Sequence, residues 1–319
     1  MQLRHLRYFV ALGREKHFGR AAETCHVTQS TLSAAIRQLE TEIGAPLIVR
    51  DKRFKEFTDE GRVLLEWASR VVAEREELDQ RIGRMRGELS GELAVGAVPT
   101  ALPTISLLTT PFSRLHSNVT LRILSRTSDE IQRMLDEFVL DIGISYLDNE
   151  PLTGVDVQPL YAERYILLTS ADGPFQGRDD VTWREAGGTP LCLLTSDMQN
   201  RRILNSIFAE MGASPNVHAE TNSVMALCSH IRSGTWSSIL PDNFLWAFGT
   251  PPGMIALPLV KPEKSFTMGM IVRRQDPVPP LVEAFREAVG DIDMERVFRP
   301  GDLFKADQVK SETAISSSV

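Results

Sequence analysis

The sequence predicts an α+β multidomain protein: a helix-rich N-terminal module closed by a two-stranded wing, a long linker helix, and a two-lobed α/β domain. Three observations carry this. Helical stretches and a basic hairpin fill residues 1–58, apolar residues recur every third or fourth position from Leu64 to Leu89, and strands alternate with helices from Leu93 onward. The expected boundaries are 1–58, 59–90 and 91–300, with lobe one at about 91–161 plus 267–300 and lobe two at about 162–266. Residues 301–319, polar and serine-rich, are expected to be a disordered tail.

With 319 residues, 42% hydrophobic and 24% charged, the chain has the composition of a soluble globular protein with room for two or three cores. The apolar run Tyr8 to Leu12 is too short for a signal-peptide core, so a cytoplasmic protein without membrane contact is expected. Cys25, Cys192 and Cys228 are odd in number and far apart, which argues against a disulfide framework or a zinc ribbon. The formal charge of −7 by itself argues against nucleic acid, yet residues 1–58 balance at +4 and the rest at −11. The two ends of the chain are built for different partners.

Leu3, Leu6, Phe9 and Val10 place one amphipathic helix over Leu3 to Lys16, and a short second helix opens at Gly19 and Arg20. Thr28 is the N-cap of a third, whose buried stripe is Leu32, Ile36, Leu39 and Ile43. Its opposite face carries Gln29, Ser30, Thr31, Ser33 and Arg37, short hydrogen-bonding groups at a helix start and one cation a turn later. That set suits a recognition helix whose N-terminal end enters the major groove. Gly44-Ala45-Pro46 stops it, and Leu47 to Thr58 reads as a two-stranded wing whose basic turn can reach flanking phosphates. A plain three-helix cluster with a solvated face is the alternative that pattern alone leaves open.

At these residues the chain resembles the LysR-type transcriptional regulators of bacteria. The resemblance rests on Leu6-x-x-Phe9, Phe18-Gly19-x-Ala21-Ala22, Val27-Thr28-Gln29-Ser30-x-Leu32-Ser33-x-x-Ile36-x-x-Leu39-Glu40, Gly44-x-Pro46-Leu47-Ile48-x-Arg50 and Thr58-x-x-Gly61. It departs at Gly19, Cys25, Ala35 and Ile48, where serine, leucine, glutamine and phenylalanine are usual; Ala35 alone touches a base-reading position. The resemblance implies a winged helix-turn-helix in which Gln29, Ser30, Thr31, Ser33 and Arg37 contact bases or nearby phosphates. Arg50, Lys52 and Arg53 would lie on backbone and minor groove. Cys25 reads as helix packing.

From Asp59 onward, Leu64, Ala68, Val71, Leu78, Ile82, Met85 and Leu89 form a heptad seam. At ~1.5 Å per residue it spans ~38 Å, too long for a connector within one domain. It is expected to pair two chains, antiparallel by the resemblance, which also implies a dimer of dimers that bends promoter DNA and meets RNA polymerase. A single helix packed on its own C-terminal domain is the alternative.

Beyond Gly91, strands are expected at Leu93–Val98, Val119–Leu124, Leu140–Ser145, Pro190–Leu194, Asn216–Glu220 and Ser237–Leu240. Helices are expected at Leu102–Leu115, Asp129–Phe138, Asn200–Met211 and Val224–Arg232, with Tyr161–Ser170 and Phe266–Arg273 as strands crossing a hinge. The looser resemblance here rests on Leu140-Asp141-Ile142-Gly143-Ile144, Arg201-x-x-Leu204-x-x-x-Phe208-x-x-x-Gly212, Glu220-Thr221-x-Ser223 and Ile231-x-x-Gly234-x-x-x-x-Ile239-Leu240-Pro241. It implies a two-lobed α/β (periplasmic-binding-protein-like) effector domain, similar in fold to periplasmic solute-binding proteins. Trp236 replaces a glycine of the family pattern and is expected to crowd the cleft or a dimer interface. Ligands of such lobes sit at strand carboxyl ends against helix N-termini, and hydroxyls there favour a small anion such as a carboxylate. By position in the family pattern, Thr100, Ser128, Tyr146 and Thr195 are the expected effector residues. Helix N-capping is the structural alternative for each hydroxyl.

The chain carries no phosphate loop, no Gly-x-Gly-x-x-Gly, no Gly-x-Ser-x-Gly and no metal-spaced His/Glu set, so neither catalysis nor a cofactor is expected. His218, Cys228 and His230 come nearest to a metal group and read as a core thiol between unrelated histidines. A transport-type binding protein would leave the N-terminal module without a role. The remaining alternative keeps DNA binding and makes Cys192 and Cys228 the sensors of an oxidant.

Overall fold

A computed structural model describes residues 1–50, 54–290 and 292–298. The N-terminal module comprises α1 (Leu3–Glu15), α2 (Phe18–Thr24), α3 (Gln29–Ile43), β1 (Ile48–Arg50) and β2 (Phe54–Phe57). Local chemistry sets each end. The His17 ring accepts from the amides of Gly19 and Arg20, Thr28 Oγ1 accepts from Thr31 N at 3.2 Å, and Gly44 leaves α3 with φ of 80°. Leu6, Phe9, Leu12, Leu32, Ile36 and Leu39 form the core, closed by edge-to-face contacts of Phe57 with Phe9 and Phe54. Ile43, expected on the buried stripe, is exposed, because it lies in the last turn before Gly44 redirects the chain. The expected wing turn, with Lys52 and Arg53, falls outside the described residues.

Helix α4 runs Asp59–Met85. Thr58 starts it by accepting from Gly61 N at 3.0 Å and donating to Pro46 O at 2.7 Å. The heptad seam divides in two. Leu64, Ala68 and Val72 are buried in the N-terminal core, whereas Leu78, Ile82 and Met85 are exposed, as are Val63 and Trp67 on another flank. Leu89 lies past the helix end and packs into the next domain. The seam cannot be one continuous pairing surface, since α1 already covers its first turns.

The C-terminal domain continues through β3 (Gly91–Ala97), α5 (Ile105–Leu115), β4 (Val119–Ser125), α6 (Ser128–Asp136), β5 (Ile142–Tyr146), β6 (Val155–Ser170), β7 (Val181–Thr182) and α7 (Trp183–Gly187). Then follow β8 (Leu191–Leu194), α8 (Gln199–Glu210), β9 (Val217–Thr221), α9 (Val224–Arg232), β10 (Ser238–Pro241), α10 (Asn243–Phe248), β11 (Met254–Val260), β12 (Ser265–Arg273), α11 (Pro280–Gly290) and α12 (Met294–Val297). Lobe one is the sheet β4-β3-β5-β12-β6, with β4, β3 and β5 parallel and β12 antiparallel to both neighbours. Lobe two sets β10 and β11 antiparallel to the other half of β6, and parallel β8 and β9 adjoin β10 through a bridge from Leu191 to Ser237. Strand β6 therefore belongs to both lobes, changing partners between Arg164, opposite Ser265, and Tyr165, opposite Pro241. Strand β12, expected to cross as well, pairs only within lobe one; the return crossing is the segment before it. Among the described residues no helix is long and apolar enough to cross a membrane.

Gly61 is the tightest point of the N-terminal module. A Cβ there would stand 2.0 Å from Leu47 O, a backbone atom that cannot yield without moving the start of the wing. Gly61→Ala should lower stability by roughly 1–3 kcal/mol, read as a lower urea midpoint of the N-terminal transition.

Candidate DNA interface and effector site

Capping by Thr28 leaves the first turn of α3 pointing outward. Gln29, Ser30, Thr31 and Arg37 are exposed and Ser33 is half-buried, while Ala35, the one departure at a base-reading position, is buried in the helical core. Thr28 Oγ1 also lies 2.8 Å from both Ser30 Oγ and Thr31 Oγ1. The hydroxyls of this turn thus form one preorganised cluster at the positive end of a helix dipole. Arg50 ends β1, and the exposed Lys55 lies on β2.

In the C-terminal domain the structure brings two of the four expected effector residues together. Thr100, in the turn after β3, and Tyr146, at the end of β5, are buried with their hydroxyl oxygens 3.1 Å apart. Between the lobes stands a residue not anticipated from sequence, Glu163 of β6, which is wholly buried. Its carboxyl accepts from Tyr146 OH at 2.7 Å, Asn243 Nδ2 at 2.8 Å and Tyr161 OH at 3.3 Å. Asn200 Nδ2 donates to Tyr146 OH at 3.2 Å, and Thr104 Oγ1 lies 3.2 Å from Tyr161 OH. Each of these side chains is buried, so polar groups fill the junction where an open cleft was expected. The one available signal was an acidic residue at the head of the apolar run Tyr165 to Leu168.

Burial dominates the electrostatics. It raises the Glu163 carboxyl from 4.5 to about 8 despite three donors, with the carboxylate of Asp242 adding to the shift. Asp242 is itself raised to about 6 by burial. Among the described residues no Lys, Arg or His side chain bonds into the cluster, so an anion placed beside Glu163 would find no counter-charge. The expected preference for an anion therefore does not suit the inner junction.

The rim is different. Ser128, at the first position of α6, donates to Glu150 Oε2 at 3.3 Å and accepts from Arg202 Nη2 at 2.9 Å. Arg202 of α8 holds the Glu150 carboxylate through Nε at 2.6 Å and Nη2 at 2.9 Å, with both side chains partly exposed. Its neighbour Arg201, part of the family pattern, is buried and structural, bonded to Leu194 O at 2.8 Å and Glu220 at 2.6 Å. Thr195 stands apart, its Oγ1 buried and without a hydrogen-bond partner. Trp236 lies over the core of lobe two with its ring 5.0 Å from His230, outside the polar junction. Open space occurs instead where the two modules meet, in a groove of about 410 Å³ lined by Arg14, Glu76, Glu92, Arg122 and Asp141. Among the described residues no group of three or more His, Cys, Asp or Glu could hold a metal ion.

The three thiols are no better prepared for oxidation. Burial raises Cys25 and Cys192, and raises Cys228 to about 11, so each stays protonated near neutral pH.

Residues 3–62 match the bacterial regulatory helix-turn-helix protein, lysR family, and residues 86–292 match the LysR substrate binding domain. The DNA-binding transcriptional dual regulator OxyR of Escherichia coli is 31% identical over 299 residues, covering 91% of this chain and 95% of that protein. The hydrogen peroxide-inducible genes activator of Haemophilus influenzae is 27% identical, covering 91% and 97%. A full-length OxyR variant from Pseudomonas aeruginosa superposes with a TM-score of 0.74 at 26% identity, over 94% of this chain and 98% of that one. The fold also matches CbnR complexed with its target DNA, with a TM-score of 0.65 at 22% identity over 91% and 99%. The chain belongs to the LysR family of transcriptional regulators and is a DNA-binding transcription factor, not an enzyme.

The raised carboxyl has a thermodynamic consequence. A folded-state value above the unfolded one means that the native protein keeps a proton the unfolded chain releases, so stability falls as pH rises from 4.5 to about 8 and then levels off. Asp242 adds a slope of the same sign at lower pH, between 3.8 and about 6. Glu163→Gln should remove up to ~1.4 kcal/mol per pH unit of this slope between pH 6 and 8. Urea titrations of both proteins across that range check it, and parallel curves would refute the assignment.

Proposed function

We propose that this regulator reads a two-fold promoter site as paired chains and alters its DNA contacts when a small acid occupies the rim between its lobes. The supporting observation is that Arg202 and Ser128 already hold a carboxylate, that of Glu150, across the two lobes at a solvent-reachable place. An effector carboxylate would compete with Glu150 for the guanidinium and the start of α6, shifting α8 against lobe one. Thr100, Tyr146 and Thr195 would respond to that shift from beneath.

On the DNA side, Thr28 orders the first turn of α3, and Gln29, Ser30, Thr31, Ser33 and Arg37 meet bases or phosphates. Arg50, Lys52 and Arg53 of the wing complete the contact. The exposed Val63, Trp67, Leu78, Ile82 and Met85 of α4 are a fitting apolar surface for antiparallel pairing. Half-sites would then be spaced by whole turns, with a dimer of dimers bending the DNA toward RNA polymerase.

The peroxide-inducible relatives favour a second reading, in which Cys192 and Cys228 sense an oxidant. Against it stands the burial that keeps both thiols protonated. Promoter DNA from beside its own gene, titrated with acetate, benzoate, succinate or hydrogen peroxide, separates the two. A carboxylate should shift affinity or footprint about tenfold in the natural protein and not in Arg202→Ala, a coupling of ~1.4 kcal/mol. Response to peroxide alone, lost in Cys192→Ser with Cys228→Ser, would replace the acid by the thiol mechanism.

In the same assay without effector, Arg37→Ala should weaken binding by about tenfold or more and flatten the salt dependence by about one counterion per half-site. Unchanged affinity and salt slope would remove Arg37 from the interface.

A further inference from the structure

The inner junction has the parts of an acid-binding site. Tyr146 OH, Asn243 Nδ2 and Tyr161 OH converge on one carboxyl at 2.7, 2.8 and 3.3 Å, and they come from β5, α10 and β6. A second layer of Thr100, Thr104 and Asn200 orients the two tyrosines. Among the described residues no counter-charge reaches the set, so it fits a carboxyl group held away from water rather than a hydrated anion. The carboxyl that fills it belongs to the chain.

We propose that Glu163 is a built-in ligand: its carboxyl fills a site whose donors fit a small carboxylic acid, and thereby holds the two lobes closed with no acid bound. The placement supports this. Glu163 lies two residues before Tyr165, where β6 passes from β12 of lobe one to β10 of lobe two. Its donors come from both sides of that crossing: Tyr146 ends a strand of lobe one, and Asn243 begins the helix after β10 in lobe two. Asn243 further donates to Thr100 O at 3.3 Å, carrying the tie into the turn after β3. A tethered carboxyl loses no translational freedom on binding, so it outcompetes any free acid of the same chemistry. The buried carboxylate of Asp242, next in the chain to Asn243, accepts from the backbone of Arg164 at 3.3 Å rather than from the cluster. The inner site is distinct from the rim at Ser128 and Arg202, and its role does not depend on an effector binding there.

Removing the carboxyl should expose the site. Full-length Glu163→Ala leaves a polar space lined by Tyr146, Tyr161 and Asn243, large enough for formic or acetic acid. Its melting midpoint should lie below that of the natural protein, and acetate at roughly 100 mM near pH 5, where part of it is the neutral acid, should raise it by about 3–6 °C, saturably. Chloride at equal ionic strength should not, and neither salt should produce that gain in the natural protein. Absence of a carboxylate-specific gain in the folded variant, or an equal gain in the natural protein, would overturn the proposal. If Glu163→Ala does not fold, Glu163→Gln and Glu163→Leu decide. The amide keeps the accepting oxygen and should retain protease resistance between the lobes; the leucine fills the space without an acceptor and should lose it. Equal resistance of those two variants would show that the lobes are not held through this group.

Discussion

A carboxyl cut off from water must be satisfied by the chain around it, and Glu163 makes that demand on the one strand that both lobes share. Tyr146 and Asn243 meet it from opposite lobes, so the relative placement of the lobes is tied to a few hydrogen bonds. The buried apolar cluster itself runs through both lobes, from Leu93 and Ile142 of lobe one to Leu193 and Phe208 of lobe two. Hydrogen-bond direction adds specificity to that packing, because Thr100 and Asn200 orient Tyr146, and Thr104 orients Tyr161.

The rim repeats this logic with full charges. Arg202 spans from α8 to Glu150 on lobe one, and Ser128 joins both at the start of α6. A partly exposed ion pair of this kind contributes little to stability. Inner cluster and rim therefore differ in kind: one is deep and holds no cation among the described residues, the other is shallow and built on a charged pair.

The N-terminal module reaches the C-terminal domain through α4 and through a direct contact. Arg14 of α1 donates to Phe138 O at 2.9 Å, just after α6, and Arg273 stacks on the Phe138 ring with its guanidinium 3.6 Å from the centroid. Lower on α4, Arg81 donates to Val278 O at 3.1 Å and Arg84 pairs with Glu283 of α11. The first turns of α4 are held by Leu64, Ala68 and Val72 in the N-terminal core, so the helix is anchored in both domains.

Much of this was legible in the residues alone. Caps, periodicities and turn residues act over a few positions, so Thr28, Gly44 and the stripe Leu32, Ile36 and Leu39 declared α3 and its outward face without reference to any distant segment. Alternating apolar strands and amphipathic helices likewise declared two α/β lobes, and the family pattern singled out Thr100 and Tyr146, which the fold brings within 3.1 Å of each other. Decisions that join distant segments were not legible. The apolar spacing of α4 is the same whether α1 or a second chain covers it, and only the packing shows α1 over its first turns. Arg201 and Arg202 are adjacent and chemically alike, yet a helix turns one toward the core and the other toward Glu150. An acidic residue on a strand is as compatible with solvent as with a junction. Only the crossing of β6 between two sheets, which brings Tyr146 and Asn243 to the same carboxyl, decided that Glu163 is buried and what it holds together.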